Sequence, residues 1–123
     1  MPRANGNEMP HNIEAEQAVL GSILIDGELQ GDIIPSLKES DFYPESHKLI
    51  FEAMVSINAK NQPVDLVTLA DALEKNSTLE RAGGIDYLSD LTRITPSSAN
   101  YRYYLDIVQR DGTLRKLIRA AQN

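Results

Sequence analysis

Apolar residues in this chain recur at intervals of three and four rather than two, and that periodicity points to helices throughout. Ile50, Ala53, Met54 and Ile57 stand at i, i+3, i+4 and i+7, one face of a single helix. Val19, Leu20, Ile23 and Leu24 form a second buried stripe, and Leu66, Leu69, Ala70 and Leu73 a third. The expectation is therefore an all-α fold, a compact bundle of about six helices followed by a long C-terminal helix. At 123 residues the chain suits one domain, large enough to bury roughly 65% of its unfolded surface.

The breaks between the stripes carry their own chemistry. Residues 1–11, "MPRANGNEMPH", are polar and read as a disordered leader. Asn12 caps the first helix, with Glu14 and Glu16 in a first turn that favours negative charge. Asp26 and Gly27 end it, and a short helix over about Leu29 to Leu37 follows, with Pro35 in its opening turn. Pro44 suits the first helical position of the next helix, ahead of which Phe42 and Tyr43 anchor the incoming loop. Asp65 caps another helix. Gly83 and Gly84 supply backbone angles that other residues resist, ahead of a helix in which Ile85, Leu88 and Leu91 face inward. "TPSSAN" is a turn with Ser97 or Ser98 as the cap of a last helix from about Asn100 to the end.

Charge and composition remove whole classes of function. The net charge of −6 argues against a domain devoted to gripping phosphate backbones. The charge is also uneven: residues 1–90 carry −10 and residues 91–123 carry +4, an acidic head with a basic tail. That split is either a solvated helix face or an electrostatically oriented docking surface. Cysteine is absent, which excludes disulfides and thiol chemistry. The start lacks the apolar run of a secretory signal, and no segment approaches the ~20 apolar residues of a membrane span, so a cytoplasmic setting without membrane contact is expected.

His47, among the aromatics and carboxylates of "DFYPESHKLIFEAM", is the one candidate for catalysis or metal binding. The other histidine, His11, lies in the leader, and no H-x-x-x-H or cysteine pair exists to complete a metal site. No recognisable nucleophile stands near it. A partly exposed histidine in the first turns of a helix is the expectation, with neither a catalytic residue nor a metal site in this chain.

The last helix holds the most informative spacing. Tyr104, Ile107, Asp111, Leu114, Ile118 and Ala121 are separated by 3, 4, 3, 4 and 3 residues, a seam for another helix. A second set, Tyr101, Leu105 and Val108, serves the head; the alternative is a helix that packs wholly on its own head. The chain stops at "RAAQN" without a capping glycine, so it is expected to be cut inside a helix. Asp111 and Gly112 lower helix propensity and leave open a kink or a break.

Five stretches, "NIEAEQAVLGSIL", "DFYPESHKLIFEAM", "PVDLVTLADALE", "GGIDYLSDL" and "TPSSANYRYYLDIV", in this order and at these spacings, resemble the N-terminal domain of the DnaB family of bacterial replicative DNA helicases. The resemblance covers about Asn12 to Asn123. It implies an all-helical head over residues 12–96 and, over 97–123, the first helix of a dimerisation hairpin truncated here. It implies self-association, as a dimer of the domain and a hexamer of the parent helicase, and binding of the C-terminal domain of DnaG-type primase. Family residues tied to primase binding or its modulation match Glu14 in "IEAE", Tyr87 in "GGIDYL" and Ile118 in "LRKLIR"; as plain structure these are a helix-start acid, a packed aromatic and a seam residue. The helix-pairing seam would be Tyr104, Ile107, Leu114, Ile118 and Ala121. The family's ATP and Mg belong to a RecA-like motor domain, and this chain shows no G-x-x-x-x-G-K-[ST] loop, so no cofactor is expected here and DNA would be engaged only through the parent protein. Two other readings stay open: a helical nucleic-acid-binding domain using Arg102, Arg110, Arg115, Lys116 and Arg119, and a small hydrolase built on His47 and carboxylates.

Overall fold

The structure, a computed structural model, describes residues 8–122. Among these residues six α-helices and no strand are present: α1 Ile13–Ile25, the single turn α2 Gln30–Ile33, α3 Glu45–Ala59, α4 Leu66–Lys75, α5 Gly84–Arg93 and α6 Tyr101–Gln122. Three short 3-10 turns, Gly27–Leu29, Ile34–Ser36 and Glu39–Asp41, fill the passage between α1 and α3. The all-α expectation holds. No described helix is long and apolar enough to cross a membrane.

Helix α1 is the axle of the bundle. Its Ala15, Val19, Leu20 and Ile23 are buried, and α2, α5 and α6 pack around it while α3 pairs with α4. Asn12 caps α1 as expected, its side chain accepting the Ala15 N–H at 3.0 Å. Asp65 and Thr68 cap α4 reciprocally, each side chain taking the other's backbone N–H at 2.9 Å. Gly83 and Gly84 adopt φ of +112° and +79°, the left-handed turn that their position before α5 requires.

Several expectations need correction. The helix foreseen over Leu29 to Leu37 is one α-turn flanked by 3-10 turns, because Pro35 has no N–H to extend the ladder. Pro44 is the residue before α3, in extended conformation, and not its first helical residue. Ile85 is 53% exposed at the start of α5, and only Leu88 and Leu91 of that stripe are buried. Neither Ser97 nor Ser98 caps α6 with its side chain: Ser97 Oγ accepts the Ala99 N–H, the Ser98 hydroxyl donates to Asp26, and the Ser98 carbonyl takes the first helical N–H. The leader lies outside the described residues up to Asn7; its last two residues are held against the body, with the Pro10 carbonyl accepting from Arg115 and the His11 ring stacked on Tyr43 at 4.0 Å.

Two close approaches set how the helices meet. A Cβ at Gly21 would overlap the Thr95 hydroxyl and sit 2.6 Å from the Leu91 carbonyl, so only glycine lets α1 meet the end of α5 there. Gly112 does the same for α6 against the Glu39–Asp41 turn, where a Cβ would fall on the Asp41 carboxylate and 2.9 Å from its Cα. Helix α6 runs unbroken through Asp111 and Gly112, so the low propensity of that pair is offset by tertiary contact rather than released as a break. Gly21→Ala should destabilise the domain by about 1–3 kcal/mol through overpacking. Gly31→Ala, at a helical site with no neighbour within 4 Å, should be neutral or mildly stabilising. Equal midpoints for the two variants in urea unfolding would contradict this account.

Candidate partner-binding site

Residues 16, 19, 20 and 23 share one face of α1, and residues 47, 50, 51 and 54 share one face of α3. Both faces are core, yet each begins with a polar residue: Glu16 is 2% exposed and His47 is 1% exposed. Two polar groups at core positions have to satisfy each other or leave a costly orphan. His47 Nδ1 lies 2.7 Å from Glu16 Oε1, while Glu16 Oε2 accepts the Tyr43 backbone N–H at 3.0 Å. His47 Nε2 meets the Tyr87 hydroxyl at 2.6 Å, and that hydroxyl also accepts from Gln17 Nε2 at 3.1 Å. The His47 and Tyr87 rings stack at 5.9 Å with an interplanar angle of 14°. Among the described residues no buried side-chain nitrogen or oxygen lacks a partner.

This string overturns the reading of His47 as a partly exposed helix-start residue, and it shows that Glu16, placed in the first turn of α1 as expected, is buried there. The cause is the register of the helices, which turns both inward. Both ring nitrogens of His47 are engaged, so neither is left for a substrate, and the hydrolase reading has no geometry behind it. Among the described residues no group of three or more potential metal ligands converges. Burial pushes the Tyr87 hydroxyl above the usual phenol range; the bond from Gln17 opposes that shift and the Glu16 charge adds to it.

Beside the string, α1 and the start of α6 enclose an open groove of about 660 Å³. Glu14, Gln17, Ile94, Tyr103, Tyr104 and Ile107 line it. Ile94 is 51% and Tyr103 66% exposed on its rim. Of the residues singled out in the sequence, Glu14, Tyr104 and Ile107 thus share one surface, and Tyr87 joins it through Gln17. Ile118 does not. It is half-buried eleven residues beyond Ile107, about 16 Å along the helix axis.

Helix α6 presents two faces. Leu105, Val108, Asp111, Gly112 and Arg115 are buried against the head, so Asp111 belongs to the head-facing side and not to a seam. Leu114 at 39% exposure and Leu117 at 61% lie outside, with Ala121 exposed beyond them. Tyr104 and Ile107 are half-buried against the core, while Leu114, Ile118 and Ala121 lie towards the far end. Arg115, expected in the basic surface of a nucleic-acid binder, is instead 1% exposed. Its guanidinium donates to the carbonyls of Pro10 at 2.9 Å and Ser40 at 3.1 Å and lies 5.5 Å over the Tyr43 ring. Arg110 is turned onto Asp111 at 3.3 Å. Of the five cations proposed for phosphate contact, Arg115 is therefore committed inside the protein, while Arg110 is paired with Asp111 at the surface with its side chain 62% exposed.

Sequence reasoning missed Glu16, Gln17, His47 and Arg115 as parts of this arrangement. Three of them stand in phase with an apolar stripe, 16 with 19, 20 and 23, 47 with 50 and 54, and 115 with 105 and 108, but phase alone names no partner that would let a polar side chain be buried.

Comparison with known proteins agrees with this architecture. The family model described as the DnaB-like helicase N terminal domain matches residues 8–110. The replicative DNA helicase DnaC of Bacillus subtilis is 44% identical over 112 residues, 91% of this chain and 25% of the relative. The crystal structure of the N-terminal domain of DnaB helicase from Mycobacterium tuberculosis superposes with a TM-score of 0.88 at 34% identity, covering 94% of this chain and 80% of that one. A structure of a DnaB-like replicative helicase, described together with its interactions with primase, gives a TM-score of 0.82 at 34% identity over 90% of this chain and 26% of the other. The chain spans about a quarter of the length of the curated relatives it matches.

Proposed function

This chain belongs to the family of DnaB-like helicase N-terminal domains, and from that premise we propose that it is the assembly and primase-recruitment domain of a hexameric, ATP-dependent replicative DNA helicase. The observation that carries the reading is the division of α6. One face is buried on the head, and the other leaves Leu114 and Leu117 in solvent next to Ile118. An apolar row on a helix that already has one partner favours a second helix. Self-association would use Leu114, Ile118 and Ala121, continuous with Tyr104 and Ile107 at the head. The groove carrying Glu14, with Tyr87 at its edge and Ile118 further along, would receive the C-terminal domain of a DnaG-type primase, in keeping with the helicase neighbour described with its primase interactions. The domain then works by geometry: occupancy of the groove biases how neighbouring domains pack in a ring, without any bond being made or broken. ATP and Mg would act in a motor domain.

The test is calorimetric titration of a primase C-terminal domain into this chain and into a version extended by a return helix about as long as the 22 residues of α6. Binding to neither would remove the recruitment reading. In the extended version Ile118→Asp is expected to weaken self-association by on the order of 3 kcal/mol, roughly a hundredfold, because a carboxylate would be buried against the partner helix. Unchanged mass by light scattering at micromolar concentration would show that Ile118 takes no part in pairing.

A further inference from the structure

The geometry points to Glu16, His47 and Gln17 as positioning residues that hold the Tyr87 hydroxyl at the edge of the α1–α6 groove, so that partner binding depends on the whole polar string and not on Tyr87 alone. The inference rests on the primase-recruitment reading and deepens it. The string has a direction. It starts deep inside at the Tyr43 N–H, passes through the Glu16 carboxylate and the His47 ring, and ends at Tyr87 Oη, where the side chain is only half-buried. Gln17 then connects that oxygen to the groove, one helical turn along α1 from Glu14.

Stability alone gives no reason for such an arrangement. Glu16 is the only charged residue on the buried face of α1, and His47 is the only titratable one on that of α3. A carboxylate and an imidazole taken out of water lose hydration that their mutual bond roughly repays, and apolar side chains of the same volume commonly do as well or better. What apolar side chains would not supply is direction. A tyrosine ring packed on leucines leaves its hydroxyl free to choose among solvent partners, whereas 2.6 Å and 3.1 Å bonds from two sides hold the oxygen in one place. A partner group that meets Tyr87 then finds a pre-set hydrogen-bond partner and loses little freedom in ordering it.

The test reads binding through a double-mutant cycle. The primase C-terminal domain is titrated into the wild-type chain, Tyr87→Phe, Glu16→Gln, Gln17→Leu and the two doubles that combine Tyr87→Phe with each of the others. Glu16→Gln keeps the shape of the side chain, and Gln17→Leu leaves the core untouched should the first variant fold poorly. Each single change is expected to weaken binding about tenfold, the value of one hydrogen bond of ~1.4 kcal/mol, and each double by no more than the worse of its singles. Multiplying effects, or wild-type affinity in both Glu16→Gln and Gln17→Leu, would overturn the inference. If neither the wild-type chain nor its extended version binds primase, the recruitment reading fails, and the positioning is still decided by NMR. Glu16→Gln should then shift the Tyr87 ring and Gln17 side-chain amide resonances, and unshifted resonances would refute it.

Discussion

Arg115→Ala is expected to lower the unfolding free energy by about 4 kcal/mol, a large share of the 5–15 kcal/mol typical of a domain. The guanidinium is almost fully buried and joins three separate parts of the chain: α6, the leader at Pro10 and the turn at Ser40. Removing it leaves two carbonyls without their donors, each at about 1–3 kcal/mol, and a cavity where a long side chain packed. Arg115→Lys should recover only a minor part, since an ammonium cannot reach both carbonyls with the planar fork that the guanidinium offers. Urea unfolding reads this as a fall in midpoint at unchanged slope. A loss below about 1 kcal/mol for Arg115→Ala would mean that the leader and the Ser40 turn hold their places without it.

The second large effect belongs to the buried pair. His47→Ala should cost about 3–5 kcal/mol, because it strips the Glu16 carboxylate of its closest partner and leaves it buried on the Tyr43 N–H alone. The combination of Glu16→Leu with His47→Leu should be more stable than either single change, since it removes the orphan together with its partner. That ordering separates a satisfied polar string from simple packing. If the double variant falls by the sum of its singles, the two residues do not act as a pair. Thermal unfolding followed by circular dichroism suffices for the comparison, and a shift of several degrees is expected for each single change.

The helical character, the caps at Asn12 and Asp65, the glycine turn before α5 and the core leucines were legible in the sequence because each depends on neighbours within one or two turns. The family was legible from five ordered stretches, and residues 8–110 match its model. The polar part of the site was not, for a reason visible at α6. Residues 101, 104, 105, 108, 111, 112 and 115 follow the same three-four rhythm as any buried face, but the last three are Asp, Gly and Arg. A search for apolar stripes stops at Val108 and assigns Asp111 outward. Only contacts far apart in sequence explain the inward register: Gly112 against Asp41, and Arg115 against Pro10 and Ser40. The burial of Glu16 and His47 was hidden in the same way: each lies at a helix start, as expected, but its partner stands 31 positions away.

Gly112 also determines how a load on the far end of α6 is carried. Because the helix backbone at Gly112 meets the Asp41 carboxylate and Cα with no side chain of its own between, that point is a fulcrum, and the ten residues from there to Gln122 form a lever arm of about 15 Å. A neighbour that pulls the tip sideways does not meet a soft hinge at the glycine; the torque passes to the Asp41 turn and, through Arg115, to the leader.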